Sequence, residues 1–195
     1  MTGIPLLLLF IYSGFTINIV LQCAIGIKGV AESRKAVDLQ SVIKALIIFF
    51  TIVSMWFFFS RIVYLVIPGI FIYILLFPVS ALVYSYLEHI IIRYLLRKEM
   101  ESESIISFPG GFTAAAVFIC INISNNPAQT VMLAFGFTSG IFLVNFIIIE
   151  IRRRAAMEEV PEFLRGKPLV LIAMGLLSLV FTTASLLFFR MISAG

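Results

Sequence analysis

Residues 104–149 run for 46 positions without a single charged side chain. One crossing of a bilayer's hydrocarbon core takes about 20 helical residues, so this run holds roughly two. An interruption falls inside it at Asn122-Ile-Ser-Asn-Asn-Pro127, a cluster of turn-forming residues. Lipid offers no hydrogen-bond partner to the backbone, so each crossing must close its own bonds as a helix. Further apolar runs cover residues 4–27, 45–60, 62–87 and 168–189. The run at 45–60 is short, and Lys44 and Arg61 at its ends are expected to extend it by snorkelling. The pattern predicts an all-α integral membrane protein with six transmembrane helices and a single transmembrane domain over residues 1–195.

Composition narrows the function classes. Hydrophobic residues make up 62% of the chain and charged residues 12%, against about half and a quarter in soluble domains. No stretch is long enough for a nucleotide-binding domain, and no Gly-rich phosphate cradle occurs. The start of the sequence, Met1-Thr-Gly-Ile-Pro5, lacks a basic segment and a clean cleavage site, so the first apolar run reads as a retained helix. Cys23 and Cys120 are the only cysteines, and both lie in apolar runs. A secreted disulfide framework is excluded, and a metal site built on this chain alone would be short of ligands.

The net charge of +4 is a topology signal and not a nucleic-acid footprint. Basic residues cluster in the first loop (Lys28, Arg34, Lys35), the third (Arg93, Arg97, Lys98) and the fifth (Arg152, Arg153, Arg154, Arg165, Lys167). The second loop holds only Arg61 and the fourth holds none. The positive-inside rule then makes the odd loops cytoplasmic and puts both termini on the outer side of the cell (inner) membrane.

Six crossings divide into two halves of opposite orientation, about 1–97 and 98–195. Gly14-Phe15-Thr16-x3-Val20-x2-Cys23 recurs as Gly111-Phe112-Thr113-x3-Val117-x2-Cys120, offset by 97 residues. This predicts a 3+3 inverted repeat with broken or half helices near the repeat interface, where such proteins place their working sites. Pro109-Gly110-Gly111 is the kind of interruption that marks one.

The last cytoplasmic loop carries a recognisable motif: Ile151-Arg-Arg-Arg154, then Glu159-Val-Pro161-Glu-Phe-Leu164-Arg165-Gly166, then the helix entry Leu169-Val-Leu-Ile-Ala-Met-Gly175-Leu-Leu-Ser178-Leu179. It resembles the RnfA/NqrE family, whose loop reads I-R-E-R … D-x-P-x-x-F-R-G. Asn18-Ile-Val-Leu21, Tyr86-Leu-Glu88 and Pro109-x3-Thr113 are similar to other family segments. The resemblance implies a membrane component of an Rnf/Nqr-like complex that couples electron transport to Na⁺ or H⁺ translocation, with other membrane subunits as partners, one of them homologous. It also implies a [2Fe–2S] cluster to which each of two homologous subunits gives two thiolates. Ungapped counting places the family cysteines on Lys28 and Ala115, which would mean the ligands are lost. A shift of a few residues lets Cys23 and Cys120 serve instead.

Polar residues inside the spans are the remaining candidates. Glu88 is a carboxylate near the inner end of a span, placed to carry a proton, line a cation path or lean toward Arg93 and the cytoplasm. Asn18 and Gln22 share one face at i, i+4, suited to bonding a neighbouring helix or lining a hydrated break. Asn145 reads the same way, and Gly136-x3-Gly140 reads as a close-packing face. No complete active site is present on the chain. A small stand-alone transporter, with Glu88, Asn18 and Gln22 lining its path, is the competing reading, as is a non-redox structural component of such a complex.

Overall fold

The computed structural model describes residues 6–22, 39–63, 69–91, 94, 111–157, 161 and 166–193. Every regular element among them is helical. In chain order these are α1 (Leu6–Ile11), α2 (Ile19–Gln22), α3 (Leu39–Phe58), α4 (Gly69–Ile91), α5 (Gly111–Ile123), α6 (Pro127–Met157) and α7 (Lys167–Ser193). A π-helical turn at Tyr12–Thr16 continues α1, and another at Phe59–Val63 continues α3.

Four of the expected crossings have the length and apolar character to span a membrane, namely those on α3, α4, α6 and α7. The other two are shorter within the described residues. The stretch Leu6–Leu21 is apolar but broken, and α5 has only 13 residues, about 20 Å of helix against a hydrocarbon core of about 30 Å. Asn18 sits at the interruption of the first, whereas the Pro109-Gly110 expected to interrupt the second lies outside the described residues. The expected third helix also moves. Its described part is Gly69–Ile91, which ends later than the expected 87, while 62 and 63 belong to the turn that continues α3.

The long helices differ in burial. More than half of the apolar window in α3 and in α6 is enclosed by the rest of the chain, but less than a quarter of that in α4 and in α7. The centre is therefore the α3–α6 pair, which pack on each other. α1 and its π turn lie against α6, and α7 covers the π turn and α2. Reciprocally, α5 lies against α3 and α4. Each short segment thus packs on two long helices from the other half of the sequence.

The core that results is aliphatic and aromatic, with Ile48, Ile52, Phe59, Phe112, Leu133 and Ile141 almost wholly enclosed. Outward faces carry Ile74, Phe77 and Leu82 on α4 and Leu176, Leu179 and Val180 on α7, a distribution only lipid or an apolar partner accommodates. Buried hydroxyls do not break the pattern, since Thr51 and Thr138 donate back to the carbonyls of Ile47 and Ala134 at 2.7 Å each.

α6 extends well past the apolar run. Its 31 residues correspond to about 46 Å of helix, so Arg152, Arg153 and Arg154, expected in a loop, lie on its final turns. Arg154 pairs there with Glu150 at 3.2 Å, an exposed i, i+4 contact.

Candidate functional site

The first feature is the break in the N-terminal segment. Ile17 N–H donates to the Tyr12 carbonyl at 2.8 Å, a five-residue step that widens the helix just before it ends. Asn18 then restarts it. Its Oδ1 accepts from the N–H groups of Val20 and Leu21 at 3.2 and 3.3 Å, an N-cap in geometry. Its Nδ2 donates to the Gly14 carbonyl at 3.1 Å and across to the Gly140 carbonyl of α6 at 3.4 Å. Asn18 is buried, so these bonds settle backbone groups that lipid could not.

The cross-helix bond needs close backbones, and glycines supply them. A Cβ on Gly140 would stand 2.9 Å from the Gly14 carbonyl oxygen, and one on Gly136 would fall on the Ser13 hydroxyl and 2.6 Å from the Phe10 carbonyl. The Gly136-x3-Gly140 face is thus the contact surface for α1 and the π turn, as expected from the sequence. Phe10 on Phe135 and Phe15 on Phe181, with ring centroids 5.5 and 5.7 Å apart, flank the crossing.

The second feature is an ion pair. Lys44 Nζ lies 2.9 Å from Glu88 Oε1, with the side chains 4% and 8% exposed. Lys44, expected to snorkel outward from the end of its helix, turns inward instead. Glu88, open on sequence grounds between a functional carboxylate and one leaning toward solvent, is enclosed and salt-bridged. The physical reason is shared level: Lys44 near the start of α3 meets Glu88 near the end of α4, two helices that pack together. A charge in lipid-facing surroundings is costly, and a partner at hydrogen-bond distance offsets that cost. Tyr84, one turn before Glu88, is fully buried beside it. His89 is exposed.

Cys120 is on α5, fully buried and not disulfide-bonded. Its carbonyl accepts from the Ser124 hydroxyl at 2.6 Å. Cys23 lies outside the described residues, as does the side chain of Gln22, although Gln22 closes α2. α2 packs against α5, the helix that carries Cys120. Thiolate is the ligand an iron–sulfur cluster takes, so the donor type fits. Among the described residues, no three His, Cys, Asp or Glu side chains gather at one point. Cys120 is enclosed by its own chain, so a neighbouring protein reaches it only if the packing around α5 opens. Asn145, expected to bond a neighbouring helix, is wholly buried on α6, and among the described residues neither amide atom has a partner.

Lys44 is a site residue that hydropathy and motifs do not single out. The available signal is two opposite charges placed at the same expected membrane level on consecutive spans. Trp56, buried with its indole N–H unpartnered among the described residues, is another, and no motif in the sequence marks it.

No protein-family model matches the chain. Among curated proteins it is similar to the A component of the ion-translocating oxidoreductase complex of Glaesserella parasuis, 38% identical over 61 residues, or 31% of this chain and 32% of that one. The corresponding protein of Actinobacillus pleuropneumoniae matches to the same extent. That of Pectobacterium atrosepticum is 37% identical over 65 residues, covering 33% of this chain and 34% of its own. The matched part spans about a third of the length of these relatives. The similarity agrees with the RnfA/NqrE resemblance carried by the sequence motifs.

Proposed function

From that similarity as premise, we propose that the chain is an integral inner-membrane component of an Rnf/Nqr-like electron-transport complex that couples redox to Na⁺ or H⁺ translocation. The observation that carries the reading is the match to the A component of ion-translocating oxidoreductase complexes. The enclosed Lys44–Glu88 pair supports the ion-translocating part, because a buried carboxylate paired with a cation is a group that can exchange that partner for a passing ion. Asn18 and Gln22 accompany it as candidates along the path, at the break in the first segment.

The architecture under this reading is a six-segment 3+3 inverted repeat over about 1–97 and 98–195. The reciprocal packing supports it: each short segment lies on the long helices of the other half, and α3 matches α6 in burial as α4 matches α7. The positive-inside pattern supports termini on the outer side. Cys23 and Cys120, equivalent under the 97-residue offset, are the two thiolates this chain would offer to a [2Fe–2S] cluster completed by a homologous partner. Such a cluster carries one electron at a time between carriers.

The experiment is purification of the complex from native membranes through a tag on this chain. The expected result is a set of co-purifying membrane proteins, including a homologue, and an iron-dependent low-temperature EPR signal lost in Cys120→Ser. Iron that survives Cys23→Ser and Cys120→Ser removes the thiolate assignment alone. Ion transport by the purified chain by itself in liposomes overturns the complex-component reading in favour of a stand-alone transporter.

A further inference from the structure

Where the start of α3 meets the end of α4, three groups able to carry a proton share one enclosed place. Lys44 Nζ stands 2.9 Å from Glu88 Oε1, with both side chains almost wholly enclosed. Tyr84, one turn earlier on α4, is fully buried beside Glu88. The buried side chains within a turn of Lys44 on α3 are Ala45, Ile47 and Ile48, which carry no polar atom. The titratable groups described on the helices packed against this place lie elsewhere. Arg61, at the far end of α3, lines a cavity with Asn125, Asn126 and Pro127 at the start of α6 and with Ile121, next to Cys120, on α5. The start of α3 and the end of α6 therefore share the opposite side, where Glu150 pairs with Arg154 and Arg152 and Arg153 lie on the same turns. On α4 itself, Tyr86 and His89 are exposed.

The Glu88 carboxylate already holds a cation, the Lys44 ammonium. An alkali cation at the same carboxylate would face that like charge at close range. It would also have to trade its hydration shell for several protein oxygens, in surroundings that are largely apolar. A proton needs only one lone pair. Adding it turns the carboxylate into an acid whose O–H calls for an acceptor, which an ammonium is not. A phenol both donates and accepts, so Tyr84 suits Glu88 in either state, donating to the carboxylate and accepting from the acid.

We propose that Glu88, set between Lys44 and Tyr84, exchanges protons and excludes alkali cations. The inference rests on the ion-path reading of this pair and names its ion. An arriving proton forms an O–H bond on a carboxylate lone pair, and its departure breaks that same bond, while the Lys44 ammonium keeps its own protons throughout. The test is infrared difference spectroscopy of the full chain in a neutral maltoside detergent, stepped from neutral to mildly acidic pH in choline chloride and in sodium chloride of equal ionic strength. Subtracting the Glu88→Gln spectra isolates the Glu88 signal from the other carboxyls. A carboxylic-acid C=O band that grows on acidification and is the same in both salts is expected. At a given pH it should be at least about twofold larger in Lys44→Met, because removing the ammonium favours the neutral acid, and it should move to higher frequency in Tyr84→Phe, where the acid loses a hydrogen-bond partner. A band that shrinks when sodium replaces choline means that Na⁺ competes for the carboxylate, which overturns the proton assignment and leaves the ion path standing. A pH-dependent difference absent from the parent chain overturns both, and a band unmoved in Lys44→Met and Tyr84→Phe overturns the three-residue site. The measurement uses this chain alone, so its outcome is separate from recovery of the complex.

Discussion

Lys44→Met, Glu88→Leu and the double substitution together measure what the enclosed ion pair contributes. At the observed 2.9 Å, two unit charges attract by about 6 kcal/mol in a medium of effective dielectric constant about 20. Withdrawing each ion from water costs several kcal/mol, so the pair as a whole comes out near neutral. Removing one member leaves the other with its transfer cost and without the attraction. Each single variant is therefore expected to lose about 3–5 kcal/mol, while the double, with two apolar side chains of similar size, stays within about 1–2 kcal/mol of the parent. The coupling energy from the cycle then exceeds about 3 kcal/mol, far above the ~0.5 kcal/mol scatter of independent sites. The assay is reversible unfolding of the full chain in mixed SDS–maltoside micelles, followed by the fluorescence of Trp56. If each single substitution costs less than about 1 kcal/mol and the two add, the charges behave as a solvated surface pair, and the argument from enclosure fails.

Asn18→Leu removes a cap and two donated bonds from a place without water, and a loss of about 2–4 kcal/mol is expected in the same unfolding assay; a loss under about 0.5 kcal/mol would mean the break is hydrated. Gly136→Ala should cost about 1–3 kcal/mol because its methyl meets the Ser13 hydroxyl and the Phe10 carbonyl. Gly175→Ala, with nothing within 4 Å, should be neutral or gain up to about 1 kcal/mol in helix propensity. Single cysteines introduced at Arg61 and Asn125 in a background lacking Cys23 and Cys120 should react with a membrane-impermeant maleimide from the same side, and one at Arg153 from the other. Labelling of Arg61→Cys and Asn125→Cys from opposite sides would refute the shared cavity they are seen to line.

The positions of the segments are legible in the sequence because lipid forces a simple rule: charges end spans. Asn122 to Pro127 turns the chain between α5 and α6 where the sequence says it should. The break in the first segment is legible in kind, through Asn18, but not in extent. A hydropathy run counts apolar residues and not backbone bonds, so it reads the first segment as one helix although its bonds change hands at Ile17. Side-chain direction is legible for Gly136 and Gly140, whose spacing alone defines a face. It is not legible for Lys44, because a flanking lysine is compatible with pointing out or in until the level of Glu88 on the adjacent helix is known. Asn145 shows the opposite failure: its type calls for a partner, and the packing of the described residues supplies none.

The hydrogen bonds around Asn18 restrict what position 18 accepts. An aspartate there keeps the acceptor for Val20 and Leu21 but brings no donor for the Gly14 and Gly140 carbonyls, and it adds a charge. Serine or threonine caps α2 yet is too short to reach a second helix, and glutamine reaches farther but loses the cap geometry. Only one side chain both accepts from the restarting helix and donates to the neighbour at this length. In a saturation library selected for folded protein in the membrane, the alphabet at position 18 should shrink nearly to a single letter, while Ile17 beside it tolerates most apolar residues.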